Sequence, residues 1–155
     1  MTEVRIEDER YIDAPAAEVW AAIEDPVAHA AWNPFVVRID GEHRAGAVRT
    51  CSVLVGKKVG EVRERCIEAE PERTITWVVE HDTTGFSRMA SNLRTGFTLA
   101  ARDGRTSVIA RSAFEPRNLV VRAMLPLIRR KFHATQQAIL ASLADSCHTR
   151  SASGL

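Results

Sequence analysis

Little in this 155-residue sequence is of the kind that announces chemistry. It holds three cysteines, and Cys51, Cys66 and Cys147 are odd in number with neither CxxC nor zinc-finger spacing. That argues against a disulfide framework or a zinc site, so the three read as reduced thiols, with Cys51 and Cys66 in strands. No run approaches the roughly 20 apolar residues that span a bilayer, and the opening MTEVRIEDER lacks the apolar segment of a signal peptide. A cytoplasmic location without an integral membrane segment is the expectation. Neither charge sign dominates: 21 basic against 20 acidic side chains leave +1. Such a balance predicts no strong whole-molecule pull toward nucleic acid or anionic lipid, and no nucleic-acid partner is expected. Also missing are GxSxG, HExxH, GxGxxG and a phosphate loop, since GKKVG lacks the Walker spacing and joins two strand-like runs. The histidines at 29, 43, 81, 133 and 148 have no helical pairing with a carboxylate that would make a metal site, so neither metal nor cofactor is expected.

What is present is a clear alternation of patterns. The stretch VRIEDERYID suits a first strand. Pro15 then presets a backbone angle where a helix can begin, and Val19, Trp20 and Ile23 recur at helical spacing. Asp25 and Pro26 repeat the cap-then-proline signal for a second short helix, which must stop near Trp32 because Pro34 disfavours helical geometry at Asn33. From Phe35 to Phe114 about six strand-like runs follow, divided by DGEHRAG, GKKVG, EPER, HDTTG and RDGR. Connections this short favour an antiparallel meander, and Asp103–Gly104 is its clearest two-residue hairpin turn.

After Pro116, Val121, Leu125, Ile128, Phe132, Ile139 and Leu143 mark one face of a long helix. Pro126 either starts that helix after a separate turn or bends it. Residues 1–147 read as one domain and 148–155 as a disordered tail. The implied class is α+β: a curved seven-stranded antiparallel sheet around a long C-terminal helix, with two short helices after the first strand.

The run IDAPAAEVWAAIEDPVAHAAWNPFV, from Ile12 to Val36, resembles the opening signature of the START-like helix-grip superfamily, also called SRPBCC or polyketide cyclase/dehydrase and lipid transport proteins. The segments IEAEPERTITW and GFTLAARDGRTSV and the closing helix agree with it. The resemblance spans nearly the whole chain and implies a helix-grip fold with a pocket between sheet and helix. It does not select a reaction, because that superfamily holds carriers, receptors, cyclases and chaperone activators.

Strand alternation puts Ile75, Trp77, Val79 and His81 on the inward face of one strand, Leu93, Thr95, Phe97 and Leu99 on that of the next, and Val108, Ala110, Ser112 and Phe114 on that of a third. Expected ligand contacts are therefore Trp77, Val79, Phe97, Ala110, Ser112 and Phe114 from the sheet. The helix would add Met124, Ile128 and Phe132, with Leu127 beside them, while Trp32 and Phe35 lie where the family's pocket mouth falls. Three polar residues are candidate catalytic groups. His81 could be oriented by Asp82 as a general base, Arg88 could polarise a carbonyl from the sixth strand, and Tyr11 offers the only phenol. Each has a plain structural alternative as a solvated or packed side chain, as do Glu64 and Arg65 within the alternating charges of GEVRER. Arg129, Arg130 and Lys131 read as an exposed helix face.

Two functions fit. The first is binding of a small hydrophobic molecule, such as a lipid, isoprenoid or polyketide, between sheet and helix. The second is a polyketide cyclase or dehydratase using the same cavity with general acid–base catalysis. A homodimer is compatible with the sequence but not required by it.

Overall fold

The first strand pairs with the last. Residues Val4–Ile12 (β1) run antiparallel to Arg105–Pro116 (β7), with Val4 opposite Phe114 and Ile12 opposite Thr106. The computed structural model describes residues 2–153, with side chains from 2 to 148. Between β1 and β7 the chain forms α1 (Ala16–Glu24), α2 (Pro26–Trp32), β2 (Val36–Gly41), β3 (Val48–Val55), β4 (Lys58–Glu70), β5 (Thr74–Asp82), α3 (Phe86–Met89) and β6 (Ala90–Arg102). After β7 come α4 (Leu119–Ala123) and α5 (Leu125–Ser153). One seven-stranded antiparallel sheet results, in the order β1-β7-β6-β5-β4-β3-β2. β2 to β7 are the expected meander. β1 lies at one edge and β2 at the other, so α1 and α2 must carry the chain across between them.

Local chemistry explains the boundaries. Pro15 sits at the N-cap of α1. The Asp25 carboxylate accepts the Val27 N–H at 3.0 Å and Pro26 occupies the first turn of α2, while Asn33 ends it in extended geometry before Pro34. Asp103 and Gly104 both have positive φ, 50° and 78°, the signature of a type I′ hairpin turn. Asn118 caps α4 through Val121 N–H at 2.9 Å. Pro126 is the second residue of α5, where its missing donor costs nothing, so the main helix starts there after a separate turn. The tail expected to be disordered from His148 is instead helical as far as Ser153, because the chain simply continues α5; Gly154 and Leu155 lie outside the described residues.

α5 packs along β1 and β7 and against α1 and α2. Beneath it are two apolar clusters. One joins α1, Trp32, Ile75, Trp77, Phe97, Val108, Leu140 and Leu143. The other gathers Val4, Ile6, Ala90 and Phe114 with Phe86, Leu93, Leu125, Ile128 and Phe132. In the second, Phe114 and Phe132 stack at 5.4 Å and Phe86 meets Phe114 edge-on at 5.4 Å. Among the described residues no helix is long and apolar enough to cross a membrane.

Candidate ligand-binding site

A cavity of about 180 Å³ separates the two clusters, lined by Trp77, Phe97, Ala110 and Ser112 from the sheet and by Phe132, Thr135, Gln136 and Ile139 from α5. Trp77 and Phe97 meet edge to face at 6.5 Å rather than filling the space. Thr95, Gly96 and Arg111 also help to form the wall, to which His29, Asn33 and Arg49 add polar groups.

Those last three belong to a buried polar network. Arg49 on β3 stands directly opposite Glu64 on β4, and its Nε and Nη2 donate to Glu64 Oε1 at 3.1 and 3.0 Å. Both side chains are more than nine-tenths buried. The guanidinium lies over the Trp77 ring, 3.7 Å from its centroid. Arg49 Nη1 also donates to His43 Nε2 at 2.8 Å, and because arginine can only donate, that nitrogen must be the acceptor. His43 therefore carries its proton on Nδ1, which donates to Ile23 O at 2.9 Å. His29 repeats the pattern. Its Nδ1 reaches Ile23 O at 3.3 Å and its Nε2 accepts from Asn33 Nδ2 at 3.3 Å, while Asn33 Oδ1 is fixed by the Phe35 N–H.

The electrostatics agree with two neutral imidazoles. Burial first, then the Arg49 charge, lower the His43 pKa to about 4, and the same causes hold His29 well below the usual histidine range. Burial also pushes the Cys51 thiol up to about 12 against the opposing charge of Arg49, and the Glu64 carboxylate, whose Oε1 lies 3.6 Å from its Sγ, acts in the same direction as burial. That thiol is a packed group and not a nucleophile.

A second polar link ties helix to sheet beside the cavity. Ser112 Oγ donates to Gln136 Oε1 at 2.6 Å, and Gln136 Nε2 donates to Asp8 Oδ2 at 2.7 Å. His133 Nδ1 shares the same carboxylate oxygen at 2.8 Å.

Of the residues expected to contact a ligand, Trp77, Phe97, Ala110, Ser112 and Phe132 line this cavity. Phe114 and Ile128 lie in the neighbouring aromatic cluster. Trp32 is buried behind the wall, stacked on His29 at 4.6 Å with its indole N–H on Ala22 O, and Phe35 is half-buried at the start of β2. Val79 lines a separate depression of about 200 Å³ beyond Val78–Arg94, where β5 and β6 cease to pair. Met124 faces out, 43% exposed, and Leu127 with it at 67%. The corner between α4 and α5 turns Leu125 and Ile128 to the core instead.

The three candidate catalytic residues all lie away from the cavity. A bulge in β5 leaves Val79 opposite buried Glu64 but His81 opposite exposed Arg63, so His81 departs from the face of Ile75 and Trp77. Arg88 is on α3, not on β6, and is exposed. Tyr11 is 45% exposed on β1, with the Arg105 guanidinium 5.4 Å from its ring centroid. Sequence reasoning missed Arg49, His43 and His29, and it took Glu64 for a solvated residue. Among the described residues no group of three His, Cys, Asp or Glu side chains could hold a metal ion.

Comparison with known proteins agrees with this architecture. The solved structures it resembles include the ZhuI aromatase/cyclase from Streptomyces sp. R1128, at 18% identity and TM-score 0.76 over 96% of both chains. A norcoclaurine synthase point mutant from Thalictrum flavum, in complex with a transition-state analogue, matches at 12% identity and TM-score 0.72 over 97% of both chains. A START superfamily protein from Mycobacterium smegmatis matches at 11% identity and TM-score 0.75, over 94% of this chain and 97% of that one. No curated protein matches the sequence. At such identities the likeness shows a shared fold. The family model described as polyketide cyclase / dehydrase and lipid transport matches residues 3–147, and with the sheet wrapped around its closing helix the chain belongs to that family.

Proposed function

We propose that this chain binds a compact hydrophobic molecule between sheet and closing helix, a lipid, isoprenoid or polyketide fragment of one or two rings that carries an oxygen acceptor. The observation that carries the reading is the cavity of about 180 Å³, walled by Trp77, Phe97, Phe132 and Ile139, with Arg49 at its polar side. An apolar cavity of about 150 Å³ already admits benzene. Burying about 300 Å² of ligand would supply a gross driving force of about 7 kcal/mol before ordering costs, so micromolar binding needs the added hydrogen bonds that Arg49 can donate. Arg49 uses three of its five N–H donors on Glu64 and His43, so a ligand carbonyl or hydroxyl has donors to meet. The buried free thiols suit a reducing compartment such as the cytoplasm.

A cyclase or dehydratase is the second reading. It draws on Arg49 in the cavity wall, whose unused donors could polarise a ligand carbonyl. Turnover of a poly-β-ketone by the protein alone, lost in Arg49→Met, would favour it.

Calorimetry with naphthol tests the binding reading. Ala110→Trp from the sheet and Thr135→Phe from the helix should each abolish binding while leaving the circular dichroism unchanged. Unaltered affinity in both folded variants would put the ligand elsewhere and end the proposal. Native mass spectrometry of protein from its own host would identify any small molecule that co-purifies.

A further inference from the structure

From Pro116 to Ala144 the chain has no acidic residue, yet Arg117, Arg122, Arg129, Arg130 and Lys131 all fall within it. A protein of net charge +1 therefore concentrates five positive charges around the corner between α4 and α5. Among the described residues none of the five forms a salt bridge. Glu3 is paired with Arg5 and Arg94.

The same corner exposes apolar side chains. Leu119, Val120 and Leu127 are 76%, 70% and 67% exposed. Backbone hydrogen bonds from Met124 N–H to Val120 O and from Leu127 N–H to Met124 O keep the path nearly helical through the junction. Val120, Met124 and Leu127 thus recur at helical spacing on the outside, while Val121, Leu125 and Ile128 turn to the core.

Apolar side chains standing in water, flanked by cations that no salt bridge among the described residues neutralises, fit one partner best. At the boundary between headgroups and acyl chains the apolar groups leave water and the cations meet anionic headgroups. A soluble polyanion would satisfy the charges but leave Leu119, Val120 and Leu127 hydrated. From this we infer that the α4–α5 corner docks on the surface of an anionic lipid bilayer without spanning it. The surface stands independently of what the cavity holds.

Co-sedimentation of the full chain with phosphatidylcholine vesicles, with and without phosphatidylserine, tests the inference. Binding should require phosphatidylserine and weaken as salt is raised. Arg130→Gln/Lys131→Gln should lower the partition coefficient by about 25-fold, from about fivefold per charge at an anionic surface. Leu119→Ser/Val120→Ser/Leu127→Ser should lower it by about tenfold or more. These side chains are exposed, so both variants should keep the wild-type circular dichroism and naphthol affinity. Absence of vesicle binding by the wild type would overturn the inference, as would binding that neither variant weakens. Retention on heparin without vesicle binding would reassign the patch to a soluble polyanion and overturn it too.

Discussion

The Arg49 guanidinium is held between the Trp77 ring, 3.7 Å from its centroid, and the single carboxylate oxygen Oε1 of Glu64. Both charges are buried, so each is tolerable only because of the other. Glu64→Leu alone should destabilise the protein by about 3–5 kcal/mol, because it strands a buried cation. Arg49→Met added to it should recover most of that loss. Urea unfolding of the two single variants and the double variant measures the coupling, and simple additivity would mean that the pair is not coupled.

Acid should loosen the same region. The native chain holds His43 at about 4 against an ordinary 6.5, so on unfolding it takes up a proton between those values. Stability is complete above about pH 6.5 and falls as the pH drops toward 4, by about 2 kcal/mol at pH 5 from His43 alone. His29, depressed for the same reasons, adds to the slope in the same direction. The cause is geometric as well: a proton on His43 Nε2 would point at Arg49 Nη1, another donor. Denaturant midpoints at pH 8 and pH 5 should separate in the wild type and draw together in His43→Gln.

Exposed positions should be silent. His81→Ala and Arg88→Ala remove side chains that stand away from the cavity, so naphthol affinity should change by less than about twofold in calorimetry. A tenfold loss in either variant would show that these residues reach the ligand after all.

Gly96 is fixed by a close approach. A Cβ there would lie 2.2 Å from Ile75 O and 2.9 Å from Arg111 Nη2. Across the bare backbone Arg111 reaches Thr98 Oγ1 at 2.8 Å and Thr76 Oγ1 at 3.0 Å, tying β5, β6 and β7 together. Gly96→Ala should cost about 1–3 kcal/mol, read as a lower thermal midpoint, because the backbone must move to admit the methyl.

How much of this could be read from the sequence depended on whether the determinant was local. Proline, Asp–Gly and Asp–Pro signals act within a few residues, and they located α1, α2 and the hairpin at Asp103 and Gly104 correctly. Alternation located Trp77, Phe97, Ala110 and Ser112 on the inner face for the same reason. It failed at His81, because a bulge shifts every later side chain and leaves no mark in the composition. It failed at Met124 because the corner before Pro126 rotates the outward and inward positions. Arg49 and Glu64 were legible in principle. Counted back from the two-residue turn at Gly56 and Lys57, the two fall opposite one another, but a run of alternating charges looks solvated until its partner strand is considered.

The pairing of β1 with β7 also shapes how the protein is made. A strand made before β2 to β6 must wait, with Val4, Ile6 and Ile12 unsatisfied, until β7 has emerged as well. Contacts this remote in sequence slow folding and lengthen the time that apolar edges stand open to other chains. The consecutive charges of Glu7, Asp8, Glu9 and Arg10 lie on that waiting strand, and charge on an open strand disfavours pairing with another chain.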